Sequence, residues 1–173
     1  MLSLASSSIK QMAIWVLFGL TLQACQNESS SAAEPVEADT ALVQLDVLKS
    51  PTCMCCSGWV DHAQENGFTA QISHPADLNG AKLRLGIKPE YQSCHTAVSN
   101  EGYVFEGHIP AKLVQQFLAN PPADALGLAV PGMPVGSPGM EVGDQFQAYD
   151  VLVLNKDGSS SLFAHVASPE EQY

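Results

Sequence analysis

Ala41–Lys49 (ALVQLDVLK) alternates apolar and polar side chains, the period of a strand with one covered face. Ser50-Pro51-Thr52 breaks the alternation, and Trp59, Val60 and Ala63 then recur at helical spacing within Ser57–Asn66. Gly67 stands where a helix C-cap needs it, and Phe68–Ser73 reads as a short strand. Asp77 is a ready N-cap for a helix over Leu78–Leu85, closed by Gly86. His95–Ser99 and Tyr103–Glu106 flank the turn Asn100-Glu101-Gly102 and predict a hairpin. Pro110 opens a helix at its favoured first position, running to Ala119. Residues 120–140 hold Pro121, Pro122, Pro131, Pro134 and Pro138 with Gly127, Gly132, Gly136 and Gly139, and are expected to form a long loop. Val151–Asn155 and Ser161–Val166 predict a closing hairpin about Lys156-Asp157-Gly158, and Ser168–Tyr173 reads as a frayed tail.

The expected order is β-α-β-α-β-β-α in one α/β domain, 41–167, which suits a chain of 173 residues. That order resembles the thioredoxin-like arrangement. The cluster Cys53-Met54-Cys55-Cys56 strengthens the resemblance, because it falls between the first strand and the first helix, where such proteins keep a Cys-x-x-Cys pair.

The first 24 residues follow a different logic. Lys10 precedes the apolar run Met12–Leu22, which is short for a membrane span and suits the core of a signal peptide. Leu22-Gln23-Ala24-Cys25 resembles the lipobox of bacterial lipoproteins, which implies cleavage before Cys25 and lipid on its sulfur. Residues 25–40, rich in Ser, Ala and Glu, are expected to be a flexible tether. The expected setting is the periplasm, anchored to a membrane by lipid; Gln26 after the cysteine points to the outer membrane.

Charge narrows the partners. Seven Lys+Arg against 18 Asp+Glu give −11, so binding to a phosphate backbone is excluded as an expectation. With 46% hydrophobic residues the chain can bury a core without disulfide staples. The five cysteines therefore need another account, and five is odd. Lipid takes Cys25, which leaves Cys53, Cys55, Cys56 and Cys94.

At a helix N-terminus the backbone N–H groups and the macrodipole favour thiolate, so reactive or ligating sulfur is readily made there. Two chemistries compete. A thiol-disulfide oxidoreductase would use Cys53 and Cys56, with Cys94 as resolving thiol. A metal site would use all four, and Cys55, superfluous to a Cys53–Cys56 disulfide, favours it. An exported compartment is oxidising, so clustered thiols stay reduced there only if bound or maintained. Zinc wants four sulfurs around one tetrahedral ion, awkward for adjacent Cys55 and Cys56 whose side chains diverge, and stands as the alternative metal. Soft Cu(I) accepts bridging thiolates, and four Cu(I) ions would neutralise four of them. A polynuclear Cu(I)–thiolate site is the working expectation, in a metal-binding or redox protein rather than a conventional enzyme. Met133 and Met140, in two Pro-Gly-Met units, and His108 and His95 are candidate further ligands. His62, one turn past the thiols, is expected to face solvent, and His74 and His165 receive no role.

Several separated motifs then agree. Cys53-Met54-Cys55-Cys56-Ser57-Gly58-Trp59, Ser93-Cys94-His95-Thr96-Ala97, Glu106-Gly107-His108-Ile109-Pro110-Ala111 and Val130-Pro131-Gly132-Met133-Pro134 with Gly136-Ser137-Pro138-Gly139-Met140-Glu141 resemble, in this order, the CopG family of periplasmic copper-resistance proteins. The resemblance spans Ala41 to Val166. It implies a thioredoxin-like fold, copper bound by Cys53, Cys55, Cys56 and Cys94, copper handling with change between Cu(I) and Cu(II), and other periplasmic copper-handling proteins as partners. Met54 departs from the glycine common in the family, and the lipobox from the plain secretion of many relatives.

Overall fold

A computed structural model of the chain describes residues 42–173. The expected signal peptide, Cys25 and tether lie outside the described residues. The elements are β1 (Val43–Lys49), α1 (Met54–Glu65), β2 (Phe68–Ser73), α2 (Leu78–Arg84), a 3-10 turn (Pro89–Tyr91), β3 (His95–Ser99), β4 (Val104–Glu106), α3 (Ala111–Ala119), β5 (Ala125–Ala129), β6 (Tyr149–Asn155), β7 (Ser160–Val166) and a last 3-10 turn (Pro169–Gln172). The seven strands form one sheet in the order β2-β1-β3-β4-β5-β6-β7. β1 and β2 are parallel, as are β4 and β5, and α1 and α3 supply the crossovers that parallel neighbours require. The remaining neighbours are antiparallel. Among the described residues no helix is long and apolar enough to cross a membrane.

Period-2 alternation sorts the strands into two faces. One face turns Leu45, Val47, Ala97, Phe105, Leu128 and Val151 toward Trp59 and Val60 of α1 and Val114 and Phe117 of α3. The other turns Val98, Val104 and Leu154 toward Leu85 and Ile87, just past α2. Glu106 follows Phe105, so it falls on the α2 side with Val104.

Three expectations change. Residues 120–140 are not all loop, because β5 lies inside them and pairs on both edges. Its sequence, Ala-Leu-Gly-Leu-Ala, lacks β-branched side chains, and a strand covered on both faces has no alternation to read. α1 begins at Met54 rather than Ser57, with Cys53 as N-cap, so Cys55 and Cys56 lie in its first turn. The end of the chain is not frayed: Gln172 is buried, accepts from Tyr149 Oη at 2.6 Å and donates to Gly136 O at 2.9 Å.

The 131–140 segment is consequently seated rather than free. Gly132 N–H donates to Gln92 O, and the Ser93 hydroxyl donates to Gly132 O. Gly139, at φ +83°, lies so close to α1 that a Cβ would fall 2.5 Å from both Cys55 O and Trp59 N. Only glycine tolerates both the backbone conformation and the approach. Gly58 answers it from the helix, with Gly139 Cα 3.1 Å from where its own Cβ would lie. Gly139→Ala is therefore expected to cost about 2–4 kcal/mol through strain and overpacking. Urea midpoints of wild type and variant check this; an unchanged midpoint would mean the loop does not rest on α1.

Candidate metal centre

The sheet order brings distant cysteines together. β1 and β3 are antiparallel neighbours in a register that pairs Lys49 with His95. The chain leaves β1 toward Cys53 and enters β3 from Cys94, so both arrive at the same edge. Cys53, Cys55, Cys56 and Cys94 consequently place their sulfurs within 4.8 Å of one another. Cys53 and Cys56 form a disulfide, while Cys55 and Cys94 are free thiols. Cys55 Sγ lies 3.4 Å from Cys53 Sγ and 4.0 Å from Cys94 Sγ. Cys56 is buried; the other three are half-buried and reachable from solvent.

Two imidazoles close the inner side. His108 Nδ1 lies 2.8 Å from Pro138 O, and a carbonyl only accepts, so Nδ1 carries the proton. Nε2 is thereby left with its lone pair facing Cys94 Sγ at 3.0 Å. His95 Nδ1 lies 3.4 Å from the same sulfur. Its Nε2 is buried with no hydrogen-bond partner among the described residues. Burial lowers the pKa of both rings, against the raising effects of Pro138 O and Glu141 at His108, and with help from His108, Lys82 and Lys49 at His95. Both are neutral imidazoles at neutral pH, the form that binds metal. Cys94, His95 and His108 make a second group of donors sharing one sulfur with the first.

Burial, followed by the charge and hydrogen bond of Cys55, pushes the Cys94 thiol up to about 12, with Ser93 and Lys82 opposing. Cys94 is therefore protonated at neutral pH and donates toward His108 Nε2. A protonated thiol is a poor nucleophile but a good latent ligand, since a metal displaces its proton. Sulfur with neutral imidazole is a donor set for soft or borderline metals, and these residues fit copper.

The other candidates are placed differently. Met133 is 52% exposed and Met140 half-buried. Met54 is 79% exposed beside the thiols. His62, expected to face solvent, is buried instead and accepts the Ala111 N–H at 3.0 Å, holding the start of α3 against α1. Sequence reasoning passed over Lys82, Ser93 and Glu106, which lie directly behind Cys94. The available signal was a charged residue ending a three-residue apolar strand, Val-Phe-Glu.

Residues 91–140 match a family described as a protein of unknown function, DUF411. Two solved structures titled copper resistance protein CopG, forms 2 and 1, are each 42% identical to this chain, with TM-scores of 0.68 and 0.67. Each match covers 72% of this chain and 98% or 97% of the other. No curated protein matches significantly.

The thiol assignment has a direct consequence. With the disulfide intact at pH 8, iodoacetamide is expected to modify Cys94 at least about 100-fold more slowly than an exposed model thiol. Peptide mass spectrometry over a time course measures it, and equal rates would remove the protonated-thiol assignment.

Proposed function

The chain belongs to the CopG family of copper resistance proteins, and from this premise we propose that it holds Cu(I) on Cys53, Cys55, Cys56 and Cys94, with His108 as a nitrogen ligand. The observation that carries the reading is the convergence of four sulfurs within 4.8 Å, one of them 3.0 Å from an imidazole lone pair. Copper is the cargo. Four thiolates this close repel one another, and several bridging Cu(I) ions offset that charge without a fixed geometry. Reduction of the Cys53–Cys56 bond is required before all four can bind. Change between Cu(I) and Cu(II) is part of the same proposal, as is a role in copper homeostasis with other periplasmic copper-handling proteins.

We read the β1-α1-β2, β3-β4 and α3 core as thioredoxin-like, supported by thiols at the start of α1 and Cys94 just before β3. The lipobox ending in Cys25 supports a site held at a membrane surface on the periplasmic side, with Gln26 favouring the outer membrane. The second reading, thiol-disulfide exchange by Cys53 and Cys56, is favoured by the disulfide itself. Against it, a resolving Cys94 would have to act from a thiol whose proton is held up to about 12.

Anaerobic Cu(I) loading of the reduced chain, with metal analysis and thiol counts before and after, separates the readings. Loading is expected to consume four thiols, and Cys55→Ser to lower the copper bound per chain while leaving the melting temperature unchanged. A chain that takes no Cu(I) yet reduces insulin disulfides would sink the copper reading. Zinc competition on the same sample tests the alternative metal. Because copper must displace the Cys94 proton below pH 12, Cu(I) affinity is expected to rise with pH from 6 to 8, about tenfold per unit for each proton displaced.

A further inference from the structure

Behind Cys94 lies a buried ion pair that the copper reading does not use. Lys82 on α2 and Glu106 at the end of β4 are 1% and 0% exposed and bond to each other. The same carboxylate takes two more donors. Glu106 Oε1 accepts the Ser93 N–H at 2.6 Å, and Oε2 accepts the Thr96 hydroxyl. Ser93 precedes Cys94 and Thr96 follows it by two, so one carboxylate grips the chain on both sides of the ligand. Gly107 allows the grip to close. At φ +80°, a Cβ there would lie 2.7 Å from Ser93 Cβ and 2.5 Å from Val130 O.

Stability alone does not call for such a pair. Two charges taken from water repay their desolvation poorly, and well-packed apolar replacements are often neutral or stabilising. A fixed position is what the pair supplies.

We propose that Lys82 and Glu106 are positioning residues of the copper site: the carboxylate fixes the main chain around Cys94, and the ammonium bonded to it holds the carboxylate in place. The proposal rests on the Cu(I) reading. Outer-shell residues of this kind change metal affinity by about 10–100-fold.

The test uses the full reduced chain, Cu(I) alone as ligand, and competition with a chromogenic Cu(I) chelator, beside thermal melting of the copper-free proteins. Lys82→Met with Glu106→Gln neutralises both groups at similar volume. The double variant is expected to melt within a few degrees of wild type and to bind Cu(I) at least about tenfold more weakly. Lys82→Arg keeps the charge and is expected to stay within about threefold of wild type. Glu106→Asp keeps both charges but draws the carboxylate back from Ser93, and is expected to lose affinity between these limits. A folded double variant with wild-type affinity overturns the proposal, as does Lys82→Arg binding as weakly as the double variant. If the double variant does not fold, Glu106→Asp decides, and wild-type affinity there overturns it. A wild-type chain that takes no Cu(I) overturns the copper reading instead, and the proposal with it.

Discussion

Lys49 at the end of β1 pairs with His95 at the start of β3, and the sulfur contacts of the site follow from that register. A two-residue slip would move Cys94 by about 7 Å along the strand, beyond reach of Cys55. A one-residue slip would turn it to the other face of the sheet. The register is held from both sides. Leu45 and Val47 share a buried face with Ala97, while Thr96 is tied to Glu106 on the opposite face. The site therefore inherits its precision from core packing rather than from the four cysteines, two of which are not bonded to any other group by covalent chemistry.

Charge poses the second constraint. A chain of net −11 gathers four sulfurs that ligate only as anions. The structure surrounds them with neutral or partly positive groups. The N-terminus of α1 carries the cysteines, and two histidines are held neutral by burial. What anionic charge remains is the kind that a soft monovalent metal neutralises, which ties the electrostatics to the proposed cargo.

β2 and β3 were legible in the sequence to the residue, and so was the Asp77 cap, whose side chain accepts the Gly80 N–H at 2.8 Å. β5 was not, because burial on both faces erases the period and Gly127 and the flanking prolines signal a loop. Three of the sulfurs could be named from spacing, and Cys94 from its place just before a strand. Their partners could not. His62 at helical spacing looks like a surface residue until α3 packs on it. Glu106 reads as an ordinary charge at a strand end until the α2 side of β4 is known to be covered. Local pattern names elements and reactive groups, but which polar groups are buried together depends on the order of strands in the sheet.

On the proposed reading, copper binding and the Cys53–Cys56 disulfide draw on the same sulfurs, so neither can change without the other. Closing the Cys53–Cys56 bond removes two electrons and two potential thiolates from a four-sulfur set. Cys55 and Cys94 remain, 4.0 Å apart, with the imidazole of His108 beside Cys94. Two sulfurs and one nitrogen still suit a single soft ion, whereas a bridged cluster needs the other pair. On the proposed reading, the oxidation state of one bond thus sets how many thiolates the site can offer to copper.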